Sequence, residues 1–541
     1  MNPPLPMSSC LRVLFRVGCG GLLIGLLSMP AGADGSAVDP NPSMPHFAIF
    51  EYEIEGNSLL SDSEIERAVT PFLGEGKTLK EVEAARAALE NSYHDAGYLT
   101  AVVSIPEQNV DAGSIALNVV EGEVNRLRVK GSQYHLPSGI KNKVPELAEG
   151  SIPYFPEVQR ELEILNRSPD LKATPVLKAG KTPGTVDVSL DVDDQLPLHG
   201  SVELSNRQSP FTQPLRLSAS VRYDNLWQLG HSFSLTAQTA PQATEQVKVL
   251  AGTYVMPVGG RGDVLALYAV HSSSNVPSFP TGVLGNSDIA GLRYTIALPA
   301  TADYSQSLSL GFDYKDVKQS LVVGGPSGPT TDTPSITYVP LAASYNGAWL
   351  QNSGSTALDA TVTLGMRRLF GNHDEDFAAK RSGASADFVA LRTGLRQTET
   401  FKRWALSGRV EMQIASGPLV PNEQYAAGGA ESVRGYEESE RLGDDAFRFG
   451  LELRTPELSI GSDALPLRIT GLGFFDAADL RTLQPLFPQP EHYRIRGVGI
   501  GLRLIGPAGL GLDLDLAKAL DDGQTTRAGD FRVHSRLVWD F

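Results

Sequence analysis

Alternation of apolar and polar side chains recurs through the larger, carboxy-terminal part of this sequence, from His199 to Phe541. Clear examples are the segments 307–314, 447–453 and 510–516, in which large apolar residues alternate with serine, glycine or charged residues. Successive side chains of a β-strand point to opposite faces, so each segment predicts a strand with one apolar and one polar face. More than a dozen such strands in one chain favour a transmembrane β-barrel over a soluble sandwich.

The region 196–541 holds roughly sixteen candidate strands, an even number, each near the length that crosses a bilayer when tilted. The last strand ends with alternating apolar residues that include Trp539 and the terminal Phe541. This ending is similar to the carboxy-terminal strand of bacterial outer-membrane proteins. The similarity implies that Trp539 and Phe541 form the insertion signal read by the barrel assembly machinery.

The first 33 residues predict a secretory signal peptide, with Arg12 and Arg16 before the apolar run Val17–Leu27 and an A-x-A site at Ala31–Ala33. The apolar run is too short for a transmembrane helix, which needs about 20 residues. The chain's two cysteines, Cys10 and Cys19, lie inside this segment, so the mature chain has no disulfide and no cysteine-based metal site.

The composition is acidic, and removing the signal peptide takes away two arginines and no acid. The formal net charge thereby moves from −16 to −18. Because nucleic-acid binding depends on a basic surface, a nucleic-acid partner is not expected.

Between the signal peptide and the barrel, the sequence predicts a short leader at 34–45 and two small α+β domains, 46–122 and 123–195. The first reads as a strand at Phe47–Glu55, two helices opened by the capping boxes Ser61–Glu64 and Thr78–Glu81, and strands at Thr100–Ile105 and Ser114–Val120. In the second helix Leu79, Val82, Ala85, Leu89 and Tyr93 share one face. The leader, rich in proline, is too short for a plug helix.

The same β-α-α-β-β order recurs in the second domain, which indicates an internal repeat. Its predicted elements are a strand at Leu127–Lys130, helices at Pro137–Val144 and Pro156–Asn166, and strands at Leu171–Leu177 and Thr185–Val192. This order resembles the POTRA (polypeptide-transport-associated) domain. Tyr93 with Gly97-Tyr98, Ile105-Pro106-Glu107-Gln108 and Val120-Glu121-Gly122 resemble the signatures of its two-partner-secretion form.

A loop of about 26 residues, 417–442, lies between the predicted eleventh strand (Lys402–Ser416) and twelfth strand (Asp445–Thr455), and this length favours a functional role. It carries Val433-Arg434-Gly435-Tyr436. The motif, with Phe474 and Asp476 in the next strand, resembles the loop motif and its partner in the two-partner-secretion transporters. Phe474 and Asp476 share a strand face. Ala478 stands where that family has glycine.

An arginine in a protein-lined lumen loses water and needs a carboxylate, which its planar guanidinium can bind through two hydrogen bonds. We therefore expect Arg434 to pair with Asp476, Gly435 to allow a tight turn and Tyr436 to pack against the wall. In this interpretation the loop is a conformational lock on a transport channel. The alternative is that Arg434 is an exposed loop residue and Asp476 a hydrated lumen charge.

The resemblance implies an outer-membrane translocation pore that recognises an unfolded periplasmic partner through its POTRA domains and exports it. The expected partner is a large secreted β-helical protein of adhesin or haemolysin type, and the transporter is expected to be a monomer in outer-membrane lipid. Strand addition is the expected docking mode. The candidate client-binding residues are Leu89, Tyr93, Thr100, Val102 and Ser104. Ordinary core packing is the alternative for these residues, and for Leu89 it is the favoured interpretation.

The main alternative is an outer-membrane protein insertase of the same barrel superfamily, which usually has three or more POTRA domains. A passive diffusion channel would need none. No nucleophile elbow or zinc-protease motif occurs, so neither an enzyme, a cofactor nor a metal site is expected. The segment His373–Asp376 reads as a solvated acidic loop.

Overall fold

The computed structural model describes residues 46–541, except 111–112, 260–261, 279–282, 319, 323–329, 333–334 and 463–464. The predicted signal peptide and leader therefore lie outside the described residues. The described chain forms two compact units. One comprises the residues up to Ala96 together with Ala101–Glu121, and the other comprises Gly97–Thr100 together with Gly122–Phe541.

The first unit has the predicted β-α-α-β-β order, with one additional strand. Its helices are Asp62–Val69, the 3-10 turn Thr70–Phe72 and Leu79–Asp95, and its strands are Phe47–Ile49, Glu51–Glu55, Gly74–Lys77, Val102–Ser104 and Ser114–Val120. Both predicted capping boxes form. The strand Gly74–Lys77, which was not predicted, pairs with Phe47–Ile49.

The main sheet of this unit has Ser114–Val120 at its centre, parallel to Glu51–Glu55 and antiparallel to Val102–Ser104. The long helix buries Val82, Ala85, Leu89 and Tyr93, as its periodicity predicts. Leu79 departs from the prediction, because it lies in the first helical turn and is 60% exposed. The buried face therefore begins at Val82.

The second POTRA-like domain repeats this topology. Its helices are Pro137–Lys141, the 3-10 turn Pro145–Leu147 and Phe155–Leu165, and its strands are Glu123–Lys130, Leu171–Ala179 and Thr185–Asp194. The central strand Thr185–Asp194 is again parallel to the first strand, Glu123–Lys130, and antiparallel to the second, Leu171–Ala179. The repeat thus extends from the order of elements to the direction of each strand. The sequence placed the start of Glu123–Lys130 four residues too late.

The rest of the chain forms a closed antiparallel β-barrel of sixteen strands. In chain order the strands are Leu198–Ser205, Arg216–Leu226, His231–Thr239, Lys248–Val258, Asp263–Ser278, Val283–Ala297, Tyr304–Lys318, Leu341–Gln351, Gly354–Leu364, Val389–Phe401, Trp404–Ala415, Asp445–Arg454, Leu465–Arg481, His492–Ile505, Leu510–Ala519 and Phe531–Asp540. Short strands at Ile336–Tyr338 and Leu458–Ser462 extend the sheet. The first and last strands pair and close it.

The alternation in the sequence becomes an apolar outer surface and a polar lumen. On the seventh strand Phe312 and Tyr314 are 42% and 43% exposed, whereas Asp313 between them is 7% exposed. On the twelfth strand Phe447 is 51% exposed and Arg448 only 6%. An apolar exterior with inward charges is the arrangement of a transmembrane barrel, so the predicted fold class is confirmed.

Among the described residues, no helix is both long and apolar enough to cross a membrane. The connection between the ninth and tenth strands contains the helix Asp374–Lys380, so the expectation of a solvated acidic loop at His373–Asp376 is wrong. His373 caps this helix, and Phe377 is 1% exposed, in contact with Tyr338 and Phe388. The acidic residues lie in the first helical turn, where the helix dipole favours negative charge.

Candidate functional site

The long loop joins the eleventh and twelfth strands, as expected. Its tip contacts each of the last five strands, through Glu452, Asp476, Gly497, Ala519 and His534. The carbonyl oxygen of Arg434 lies against Gly497 of the fourteenth strand. A β-carbon at Gly497 would be only 1.9 Å from that oxygen. A side chain at this position would therefore push the loop tip off the wall. The sequence analysis did not identify Gly497.

Arg434 is 7% exposed and makes the expected contact with Asp476, which is 2% exposed. Its Nε donates to Asp476 Oδ2 at 2.7 Å and its Nη2 to Oδ1 at 3.1 Å, which is a bidentate pair. The backbone N–H of Arg434 also donates to Asp476 Oδ2 at 3.3 Å. The guanidinium lies 3.4 Å from the ring centroid of Phe474. The structure thus brings together three residues that the sequence separates by up to 42 positions.

Glu452 is a further partner that sequence reasoning missed. Arg434 Nη1 donates to Glu452 Oε2 at 2.8 Å, so this arginine forms hydrogen bonds to two carboxylates, and a third, Asp515 Oδ2, lies 4.0 Å from Nη1. The signal was available, because Glu452 alternates with outward-facing Leu451 and Leu453 and is therefore an inward-facing acid near Asp476. Arg454 partly neutralises the excess negative charge of these carboxylates, because its Nε donates to Glu452 Oε1 at 2.7 Å.

Gly435 and Tyr436 turn and anchor the tip. Gly435 has φ +104°, a backbone conformation that glycine adopts without strain, and its N–H donates to His534 Nε2 at 3.0 Å. The hydroxyl of Tyr436 lies 3.0 Å from the carbonyl oxygen of Arg496 and 2.8 Å from that of Asp521. Tyr436 is fully buried, so this phenol fixes the loop to the wall.

Val433 and Tyr436 belong to one buried apolar cluster between the loop and the wall. Its other buried members are Tyr425, Ala427, Ala446, Ala478, Leu480, Ile495 and Ala519. Ala478, which stands where glycine was expected, is 2% exposed. Its methyl group contributes to this cluster, so the departure from the family motif adds packing and does not open the site.

A second set of polar contacts holds the rest of the loop. Glu440 is 1% exposed and accepts hydrogen bonds from the N–H groups of Thr525 at 2.7 Å and Thr526 at 2.9 Å. Arg532 Nη2 donates to Glu437 Oε1 at 3.0 Å. Arg448 donates to the carbonyl oxygen of Ser432 at 2.8 Å. These contacts involve the last connection of the barrel and its twelfth and sixteenth strands, and they were not predicted.

The base of the loop is fastened to the extracellular connection that carries the helix Asp374–Lys380. Arg381 pairs with Asp444, and both guanidinium Nη atoms contact the carboxylate. Asp444 is fully buried and also accepts from the N–H groups of Leu419 at 2.9 Å and Leu483 at 2.7 Å. Three segments of the chain therefore meet at one carboxylate.

The candidate client-binding residues divide into two groups. Leu89 and Tyr93 are fully buried and form the core of the first POTRA domain, which is the alternative favoured above for Leu89. In the described conformation neither side chain is accessible to a client. Thr100 is 9% exposed. Val102, by contrast, is 55% exposed, and Ser104 is also exposed. Only these last two present an accessible surface on the edge strand.

The outer edge of that strand is covered by polar side chains of the long helix. Val103 N–H donates to Glu90 Oε2 at 3.0 Å, and Arg86 Nη1 donates to the Val103 carbonyl at 3.2 Å. His94 Nε2 lies 3.1 Å from the carbonyl oxygen of Ala101. Arg86, Glu90 and His94 are four residues apart and share a helix face. They satisfy backbone groups that an added strand would use.

The carboxy-terminal residues lie at the barrel seam. Phe541 N–H donates to the carbonyl oxygen of Gly200 at 2.9 Å, and Gly200 N–H donates back at 2.8 Å. A β-carbon at Gly200 would be 2.4 Å from the Phe541 ring, so glycine makes room for it. Trp539 and Phe541 are 49% and 60% exposed on the outer surface, with ring centroids 4.9 Å apart.

A POTRA domain followed by a closed sixteen-strand barrel defines a class of outer-membrane proteins that handle polypeptides. A model described as POTRA domain, ShlB-type, matches residues 47–122, and one described as haemolysin secretion/activation protein ShlB/FhaC/HecB matches residues 184–504. The chain belongs to this second family, the two-partner secretion transporters, which export a partner protein across the outer membrane. The barrel lies in the outer membrane and the POTRA region in the periplasm.

Named relatives agree with this assignment. The chain is 21% identical over 404 residues to the outer membrane transporter CdiB of Dickeya dadantii, covering 74% of this chain and 71% of the relative. It is 21% identical over 486 residues to the heme/hemopexin transporter protein HuxB of Haemophilus influenzae, covering 86% and 82%.

Solved structures share the fold. CdiB from Escherichia coli superposes with a TM-score of 0.64 at 17% identity, covering 94% of this chain and 93% of that one. BamA from Haemophilus ducreyi lacking POTRA domains 1–3 gives 0.56 at 15% identity, covering 92% and 100%. At these identities the likeness concerns the fold alone.

Proposed function

We propose that the loop between the eleventh and twelfth strands is a lock that occupies the lumen at rest and moves aside during export. The observation that carries this proposal is the burial of Arg434 between Asp476 and Glu452 on the lumen wall. A buried arginine is stable there only while both carboxylates face it. The loop therefore has one well-defined docked position. When the loop leaves this position, the hydrogen bonds of Arg434 to Asp476 and Glu452 break.

The client is an unfolded partner protein, of the large β-helical adhesin or haemolysin class, that docks in the periplasm before it enters the lumen. The docking edge is the strand Val102–Ser104, whose exposed Val102 and Ser104 flank a backbone position covered by the long helix. Because Glu90 and Arg86 already occupy the edge groups of Val103, a client strand has to displace them. In this displacement, the hydrogen bonds of Val103 with Glu90 and Arg86 are replaced by backbone hydrogen bonds to the client strand.

Export on this pathway involves no catalysis, cofactor or nucleotide, and folding of the client outside the cell makes the step irreversible. The transporter acts as a monomer in outer-membrane lipid, after insertion by the barrel assembly machinery. The insertase alternative receives no specific support from the site, and the family match favours secretion.

The test is to hold the loop in place. Glu437 and Arg532 meet as an ion pair between loop and wall, so the pair Glu437→Cys and Arg532→Cys can be bridged in whole cells by a short bis-maleimide. The bridged transporter is expected to stop exporting its genetically neighbouring client, which then accumulates in the periplasm.

The matched control is the same cysteine pair capped with N-ethylmaleimide, which removes the same charges but leaves the loop free. It is expected to export. Equal export by bridged and capped proteins would show that the loop does not move during transport, and the proposal would be abandoned.

A further inference from the structure

Three side chains that can bind a metal converge where the second POTRA domain meets the barrel. Asp170 precedes the strand Leu171–Ala179, His199 lies on the first barrel strand, and Asp224 lies near the periplasmic end of the second. Their ligand atoms all lie within 4.8 Å of one another. His199 Nε2 is 3.0 Å from Asp170 Oδ1 and 3.5 Å from Asp224 Oδ2.

Hydrogen bonding does not account for this arrangement. Asp170 is 3% exposed, and its Oδ2 atom has no hydrogen-bond partner among the described residues. His199 Nε2 is also buried and, despite its short distances to the carboxylates, makes no contact of hydrogen-bond geometry within the described chain. A buried carboxylate and a buried imidazole nitrogen without partners are costly unless a further group binds them.

Two of the three separations are close to those of a tetrahedral metal ion, and the third is within 4.8 Å. Zinc binds imidazole nitrogen and carboxylate oxygen at about 2.0–2.2 Å, which places neighbouring tetrahedral ligands roughly 3.3 Å apart. The two observed separations, 3.0 and 3.5 Å, lie on either side of this value. One imidazole and two carboxylates suit Zn²⁺ better than the hard cations Ca²⁺ and Mg²⁺, which take all-oxygen sites.

One competing contact exists, because Arg222 Nε donates to Asp224 Oδ2 at 2.9 Å. The Arg222 side chain is 50% exposed, so it can turn to solvent when a cation takes its place. Asp170 and His199 have no comparable competitor among the described hydrogen bonds. Asp224 is thus the weakest of the three ligands.

We propose that Asp170, His199 and Asp224 bind one Zn²⁺ ion, with a fourth position left for water. The ion would join the second POTRA domain to two barrel strands at one point. A second link lies nearby, since Gln228 of the first periplasmic turn accepts from Leu136 N–H at 2.9 Å and donates to the Tyr134 carbonyl at 2.9 Å. The site is therefore a structural one that fixes how this domain is held at the pore entrance.

The test measures metal binding by the full mature transporter in detergent, purified through an amino-terminal tag that contains no histidine. The protein is loaded with Zn²⁺, passed through gel filtration and analysed for bound metal. About one zinc per chain is expected for the wild type. Substitution with Co²⁺ is expected to produce visible absorption of a tetrahedral site.

His199→Gln and Asp170→Asn are each expected to lower the affinity at least about tenfold, since even outer-shell changes at metal sites cost that much. The matched control is His271→Gln, because His271 pairs with Asp288 at 2.6 Å and the described residues place no third ligand beside this pair, so it should not contribute. Heat-modified migration in gels verifies that each variant barrel is folded. Bound zinc equal in wild type and His199→Gln, or absent from the wild type, would overturn the proposal and leave a histidine–aspartate ion cluster only.

Discussion

Replacing Arg434 by alanine is expected to release the loop tip from the lumen wall. The substitution removes two hydrogen bonds to Asp476, one to Glu452 and the contact with the Phe474 ring. It also leaves Asp476, whose side chain is 3% exposed, without its counter-charge. Breaking a buried pair from one side costs about 3–5 kcal/mol, most of it from the stranded charge.

This cost translates into a change in loop position. If the substitution destabilises only the docked state by this amount, the undocked fraction rises by a factor of about 10²–10⁴. Each 1.4 kcal/mol changes the docking equilibrium constant about tenfold. The chain offers a sensitive reporter, because both native cysteines lie in the predicted signal peptide. Val433→Cys therefore introduces a single thiol, at a position that is fully buried in the docked loop.

The assay is the rate of labelling of that thiol in whole cells by a membrane-impermeant maleimide. Labelling is expected to be slow in the Val433→Cys parent and much faster when Arg434→Ala is added. The matched control is Arg293→Ala. Arg293 is also a lumen arginine; it pairs with Asp313 on the neighbouring strand, and none of its described hydrogen bonds or ion pairs involves the loop. Equal labelling in parent and Arg434→Ala would refute the lock.

Charge exchange is a weaker test at this site than the sequence suggests. Arg434→Asp with Asp476→Arg restores one pair but sets a new carboxylate at the position that Glu452 contacts at 2.8 Å. Like charges at this range repel strongly in a buried site. We therefore expect partial rescue from the exchange and fuller rescue when Glu452→Gln is added. No rescue in either background would argue against direct pairing.

Three further predictions follow from single contacts. Gly497→Ala should raise Val433→Cys labelling, since its β-carbon would lie 1.9 Å from a loop oxygen, whereas Gly473→Ala, with open space around it, should not. Glu90→Ala removes the acceptor of the Val103 amide, so hydrogen exchange there should accelerate by about 2–10-fold. Burial raises the pKa of Asp194, but hydrogen bonds from the Gln133–His135 backbone and the His135 side chain outweigh it and lower the pKa. The stability that Asp194 contributes is therefore present above its unfolded pKa and is lost as the pH falls below about 4. Hydrogen exchange of the second POTRA domain should accelerate over this pH range in the wild type but not in Asp194→Asn.

The barrel was predictable because period-two alternation is a local signal that repeats in every strand. Three predictions follow from this alternation: the number of strands, the position of the loop between the eleventh and twelfth strands, and the orientation of Asp476 toward the lumen. Register is different, because it depends on which strands pair. The sequence contains both Gly497 and Arg434, but it does not show that the loop places the Arg434 carbonyl against Gly497.

For a related reason, the sequence could not decide whether Leu89 and Tyr93 line a client groove or form the core. A helix face with Leu89 and Tyr93 has the same periodicity whether it covers its own sheet or a bound peptide. The structure assigns both residues to the core, where Tyr93 OH donates to Asn57. Likewise Asp170, His199 and Asp224 carry no short motif, and only the packing of the second POTRA domain against the barrel brings them together.

Arg434 is not the whole of the lock. Glu440 is held by Thr525 and Thr526, and it shares no hydrogen-bond partner with Arg434 among the described contacts. Effects of sites without shared partners add to within about 0.5 kcal/mol. Labelling of Val433→Cys in the Arg434→Ala, Glu440→Ala double variant should therefore equal the product of the two single effects. A double variant no faster than Arg434→Ala would show that Glu440 does not hold the tip. If the effects multiply, undocking has to overcome both sets of contacts, and only a client that binds the undocked state more tightly can supply that difference.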